Sequence, residues 1–162
     1  AYDDLPNDSK ALVTPSNVTK LDACIAALEQ VKKDNEELLK ATEEARTLME
    51  QLPENTSYVD KDHAEIIQQA KEAYNKLNKE GKNLLKTEHK QLTACEKTLK
   101  KNQSAAQKVE KQIEKLDPDN VTSKTAKNIR KAWDAYQKLT DEQKTFVDPE
   151  LYARLEACYN QL

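Results

Sequence analysis

The sequence predicts an all-α protein, built as tandem up-down-up three-helix bundles that share long continuous helices and form an elongated rod. Three observations carry that prediction. The 162 residues are 34% charged and hold a single glycine, Gly81. This suits long solvated helices and starves the tight turns of a sheet. Apolar residues recur at the 3-4 spacing of a helical seam over long stretches. Three segments of the chain also repeat one pattern at nearly constant spacing.

The repeat is explicit. Ala1-Tyr2-Asp3-Asp4-Leu5 opens the first copy, Ala73-Tyr74-Asn75-Lys76-Leu77 the second and Ala135-Tyr136-Gln137-Lys138-Leu139 the third. A short polar-then-apolar piece follows each: Lys10-Ala11-Leu12-Val13, Lys82-Asn83-Leu84-Leu85 and Lys144-Thr145-Phe146-Val147. Leu-x-Ala-Cys comes next, at Leu21 to Cys24, Leu92 to Cys95 and Leu155 to Cys158, with Tyr-to-Cys distances of 22, 21 and 22 residues. The copies read as units 1–52, 53–116 and 117–162, the first truncated at its N-terminus and the third at its C-terminus. The chain therefore reads as a piece of a longer protein, in which targeting signals of the parent are not visible.

The elements follow in order. A short turn over 7–13 leads to Thr14-Pro15-Ser16, where proline suits the first turn of a helix over 16–52. Pro53 closes it. A helix over 59–78 carries Tyr74, and a short turn over 79–85 leads into a helix over 87–116, closed by Pro118. Asp117-Pro118-Asp119-Asn120 reads as a turn plus N-cap, since it lacks the Gly and terminal Glu of a calcium loop. A helix over 121–139 follows. Thr140 with Gln143 forms a capping box for the turn over 141–147, and Asp148-Pro149-Glu150 starts the last helix, 149–162.

The seams have matching phase. Leu92, Cys95, Leu99, Asn102, Ala106, Val109, Ile113 and Leu116 keep strict 3-4 spacing. The earlier helix reads Val18, Leu21, Ile25, Leu28, Val31, Asn35, Leu38, Thr42, Ala45, Met49, Leu52, with one irregular step near Val31. From Cys24 to Leu52 is 28 residues and from Cys95 to Leu116 is 21. The difference is one heptad, which leaves the seam on the same face. Each seam carries a mid-helix Asn, the kind of buried polar residue that fixes register. A helix over 16–52 is roughly 55 Å long at the usual rise. That is too long for a compact globule of this size, so the bundles are expected to share helices as in spectrin-like rods.

Charge is uneven. Residues 1–60 carry net −7, 61–131 net +7 and 132–162 net −3. The basic middle interleaves its lysines with Glu and Gln, and Tyr74 is its only aromatic, so no nucleic-acid partner is expected. No stretch approaches the ~18 apolar residues of a membrane span. Nothing converges as an enzyme site: the only histidines, His63 and His89, have no second ligand at metal spacing. No catalytic residue, metal or cofactor is expected. Tyr2, Tyr74, Tyr136, Cys24, Cys95 and Cys158 are assigned to the core, the cysteines as inert thiols too far apart along a rod to pair with one another, with pairing between molecules as the alternative.

The run Ala132-Trp133-Asp134-Ala135-Tyr136-Gln137-Lys138-Leu139-Thr140-Asp141-Glu142-Gln143-Lys144-Thr145-Phe146-Val147 resembles a three-helix repeat of large Gram-positive cell-surface proteins, particularly of gut anaerobes. That repeat reads Ala-x-x-Ala-Tyr-x-x-Leu-Thr-x-x-Gln-Lys-x-x-Val. The match is best in the third unit and weakest in the second, where Asn78-Lys79-Glu80-Gly81 replaces the Thr-x-x-Gln step. The resemblance implies an extracellular, cell-surface location and no chemistry. An anaerobic setting would tolerate free thiols on an exported protein.

Trp133, Tyr136, Phe146, Tyr152 and Tyr159 all fall in the last thirty residues. Trp133 and Tyr159 align with Lys71 and Glu96 of the second unit, so an aromatic pair there would replace an ion pair. Trp133, Tyr152 and Tyr159 are also the candidate protein-binding residues, because aromatics anchor interfaces. The functional expectation is a monomeric, non-catalytic surface module that binds a host protein, immunoglobulin first, by analogy at the level of fold. The alternatives are a passive stalk displaying other domains and an intracellular coiled-coil scaffold.

Overall fold

The computed structural model describes residues 2–162; Ala1, which opens the first repeat, lies outside them. The described residues are helical with no strand. Helix α1 spans Asn7–Lys10, α2 Pro15–Glu50, α3 His63–Lys76, α4 Lys79–Leu84, α5 Lys86–Ile113, α6 Ala126–Gln137, α7 Asp141–Lys144 and α8 Pro149–Tyr159. A 3₁₀ turn occupies Pro118–Asn120.

Local chemistry sets the boundaries. Pro15 and Pro149 both sit at the first helical turn, and Asp148 also accepts from the Glu150 amide. Thr140 and Gln143 form both halves of the capping box. Asp117 caps the 3₁₀ turn by accepting from the Asp119 amide. Two helices start later than the periodicity predicts. Helix α3 begins at His63 and not at 59, because Asp60 Oδ1 accepts from the Asp62 and His63 amides and holds the preceding chain out of the helix. Helix α6 begins at Ala126 and not at 121, because Thr122 and Thr125 bond each other's backbone amides ahead of it.

Two cores form. Ala45 and Met49 from the end of α2, with Leu52 just past it, meet Ile67 and Ala70 of α3 and Leu92 and Cys95 of α5, with Val59, Leu77 and Leu85 closing the first. In the second, Ala106, Val109 and Ile113 of α5 meet Ile129 and Ala132 of α6 and Leu155 and Cys158 of α8. One unbroken helix, α5, therefore feeds both cores. Its seam passes from the first to the second at Asn102, which is buried.

Helix α2 divides sharply. Thr42, Ala45 and Met49 are buried, whereas Leu21, Ile25, Leu28 and Val31 are exposed. Cys24 lies on that open stretch and is exposed, which corrects its assignment to the core. Residues 21–37 are exposed throughout, so the seam pattern there is not closed over. Asn35 is exposed for the same reason.

Candidate functional site

The aromatic cluster joins α6 and α8. Trp133 stacks on Tyr159 with ring centroids 4.1 Å apart and planes 10° apart. Tyr136 stacks on Tyr152 at 4.7 Å and 29°. All four rings are half-buried, and all pack against the second core. At the equivalent place between α3 and α5, Lys71 Nζ donates to Glu96 Oε2 at 3.1 Å. The ion pair of one unit is thus an aromatic stack in the next. Stacking adds about 0.5–1.5 kcal/mol beyond area burial, against about 0.2–1 kcal/mol for an exposed ion pair.

Tyr152 has a second anchor. Its hydroxyl donates to Glu156 Oε1 at 2.7 Å. That hydrogen bond, aided by partial desolvation and the carboxylate's charge, pushes the phenol up to about 12.

The repeat tyrosines share a feature that sequence reasoning missed. Lys10 Nζ lies 5.8 Å from the Tyr2 ring, Lys82 Nζ 5.7 Å from Tyr74 and Lys144 Nζ 5.8 Å from Tyr136. Each lysine follows its tyrosine by eight residues, a constant interval that could have revealed the contact. Lys10 and Lys82 also donate to the carbonyl just after the tyrosine, at Asp3 and Asn75. Tyr74 is half-buried, and its other neighbour is His89, stacked at 4.0 Å and 7°.

A polar joint connects the two cores. Asn102 Nδ2 donates to the Val59 carbonyl at 2.7 Å, and Asn102 Oδ1 accepts from Gln143 Nε2 at 3.2 Å. The Lys61 amide donates to Thr145 Oγ1 at 3.0 Å. The loop before α3 is thereby tied to α7 through α5. The sequence marked Asn102 as a register residue and Gln143 as a cap, but did not place them in contact.

The matching site on α2 is built differently. Leu38 stands where the seam of α5 has Asn102, and Gly81 where α7 has Gln143. Gly81 is buried, and a Cβ there would lie 3.0 Å from Thr42 Oγ1 and 3.2 Å from Leu38 Cδ1. The only glycine in the sequence makes room for a leucine at a helix crossing. Asn78 still caps α4 by accepting from the Gly81 amide at 2.9 Å.

The titratable groups are dispersed. His63 Nδ1 pairs with Asp60 Oδ1 at the start of α3. Partial burial pushes the Asp60 carboxyl up, but hydrogen bonds from the His63 side chain and the His63 and Asp62 amides outweigh it and hold it below its usual range. Burial pushes the Cys95 thiol up, and burial with the nearby Asp117 charge does the same for Cys158 against the opposing effect of Arg154. Among the described residues, no group of three or more His, Cys, Asp or Glu is placed to hold a metal. No described helix is long and apolar enough to cross a membrane.

A groove of about 910 Å³, open to solvent, runs beside α6, where Lys127, Arg130, Lys131 and Lys138 line it with Asp134. Gln112 Oε1 is buried beside it without a hydrogen-bond partner. Compared with family models, curated proteins and solved structures, the chain matches none.

Proposed function

We propose that this chain is a non-catalytic helical repeat segment of a bacterial cell-surface protein, and that it acts as a spacer. Three-helix units run up-down-up and are strung into a rod by their shared helices. The observation that carries this reading is α5, 28 residues long and continuous between two separate cores. Bending the molecule between the cores requires breaking that helix or the Asn102 joint, which makes it stiff. Trp133, Tyr136, Tyr152 and Tyr159 are spent on stacking across α6 and α8, and its grooves are open to solvent. Small-angle scattering tests the shape. A rod gives a radius of gyration well above the roughly 15 Å of a compact domain of this length. A value near 15 Å refutes the spacer.

A second reading has one observation in its favour. Trp133, Tyr152 and Tyr159 keep partly exposed edges on one face, and such rings can anchor a host protein, immunoglobulin being the first candidate. Capture of immunoglobulin from host serum by the immobilised chain, lost in Trp133→Lys, would support binding. Capture unaffected by changes at all three positions would remove this face from consideration.

A further inference from the structure

The open face of α2 is the largest feature left without a role. Leu21 is 39% exposed, while its repeat equivalents Leu92 and Leu155 are 1% and 0% exposed; Leu28 is 61% exposed, while its equivalent Leu99 is half-buried against the first core. Cys24 is exposed where Cys95 and Cys158 are buried. The chain itself records what covers such a face. Leu92 and Cys95 are covered by the end of α2 together with α3. Leu155 and Cys158 are covered by the end of α5 together with α6. In both cases the cover is a helix pair: the end of a long seam helix and a helix carrying the repeat tyrosine.

The open face is also continuous with an established interface, since its seam runs through Leu38 into the buried Thr42, Ala45 and Met49. Beside it, Tyr2 already has its Lys10 contact at the distance found at Tyr74 and Tyr136. The lysine contact that accompanies the tyrosine of each covering helix is therefore already made, with Tyr2 itself lying ahead of α1.

We propose that the face of α2 from Val18 to Val31 is the third wall of a further helical unit, and that its occupant is a helix pair running into Tyr2 with the chemistry of this chain's own 101–137 stretch. The occupant presents one small-and-branched seam like Ala106, Val109 and Ile113, and one short face like Ile129 and Ala132. The face is a repeat-to-repeat interface and not the landing site of a foreign ligand. This inference stands independently of where the protein resides or whether it binds a host protein.

The chain carries its own reporter, the Cys24 thiol. In the chain as it stands, an aromatic disulfide reagent should label one thiol fast, Cys24, and two slowly, Cys95 and Cys158. The test joins residues 101–134, which contain no cysteine, directly ahead of Ala1, so that Trp133-Asp134-Ala1-Tyr2 reproduces Trp133-Asp134-Ala135-Tyr136. In this extended chain Cys24 should slow by about 100-fold, toward the rates of Cys95 and Cys158, as expected when labelling requires opening of a packed unit. Amides 18–31 should gain hydrogen-exchange protection in parallel. Two further residues inserted at the junction should abolish both effects, because they rotate the added face away. Labelling of Cys24 at the original rate in the extended chain overturns the proposal. So does slowing of Cys24 in the unextended chain as its concentration rises, which would assign the face to a second copy.

Discussion

Replacing Asn102 is expected to destabilise the protein in an order that size alone does not give. Asn102 is 4% exposed, and its amide nitrogen is 2.7 Å from the carbonyl of Val59, itself 0% exposed. In Asn102→Ala that carbonyl is left buried and unpaired, at about 1–3 kcal/mol. Gln143, half-buried, can turn its freed Nε2 toward water and adds little. The lost side chain leaves a small void, so the total is about 2–3 kcal/mol. For a chain of this length that corresponds to about 4–12 °C in melting temperature. Asn102→Asp keeps the shape but sets a carboxylate against the Val59 carbonyl, so it should be worse than alanine at neutral pH. The assay is urea unfolding followed two ways. Fluorescence of Trp133, the only tryptophan, reports the second core, and far-UV circular dichroism reports both. In Asn102→Ala the two transitions should separate, because the joint that couples the cores is gone. Asn102→Asp as stable as the parent, or Asn102→Ala costing less than about 0.5 kcal/mol, would rule out a structural role for the Asn102–Val59 hydrogen bond.

Three further outcomes are expected. Gly81→Gln, which installs the residue of the other joint, should cost about 1–3 kcal/mol through overpacking on Thr42 and Leu38; adding Leu38→Asn and Thr42→Ala should recover at least half of that in thermal melts. The double change Trp133→Lys with Tyr159→Glu copies the Lys71–Glu96 pair, so it should unfold closer to the parent than either single change does, as a double-mutant cycle would show. In a spectrophotometric titration Tyr152 should ionise near pH 12, and Glu156→Gln should lower its midpoint. Because the folded value is raised, the stability it reports is complete below the unfolded tyrosine value of about 10 and is lost as pH rises through the folded one. A Tyr152 midpoint unchanged in Glu156→Gln would contradict the hydrogen bond's role.

Helix identity was legible in the sequence because apolar spacing and proline placement are local properties. The capping box at Thr140 and Gln143 was legible for the same reason, since both partners lie within one turn. The late starts of α3 and α6 were harder to read. Asp60 and the Thr122–Thr125 pair compete for the backbone through side-chain bonds that periodicity does not register. The replacement of Lys71 and Glu96 by Trp133 and Tyr159 could be read because the repeat supplied an internal alignment. The lysine over each repeat tyrosine went unread although its eight-residue interval was present, because contact across a turn depends on how the chain folds back.

What the sequence by itself determined is the all-helical class and the seam on each long helix, since both depend on spacing along one chain. Tertiary structure alone decided which parts of those seams are covered. Leu21 to Cys24 and Leu92 to Cys95 carry the same pattern, yet only the second is buried. Asn35 and Asn102 occupy similar seams, yet only Asn102 finds a carbonyl and a glutamine to satisfy it. Gly81 reads as a degenerate repeat position until Leu38 and Thr42 are seen to crowd it. Burial is a property of two surfaces, and a periodic pattern describes only one of them.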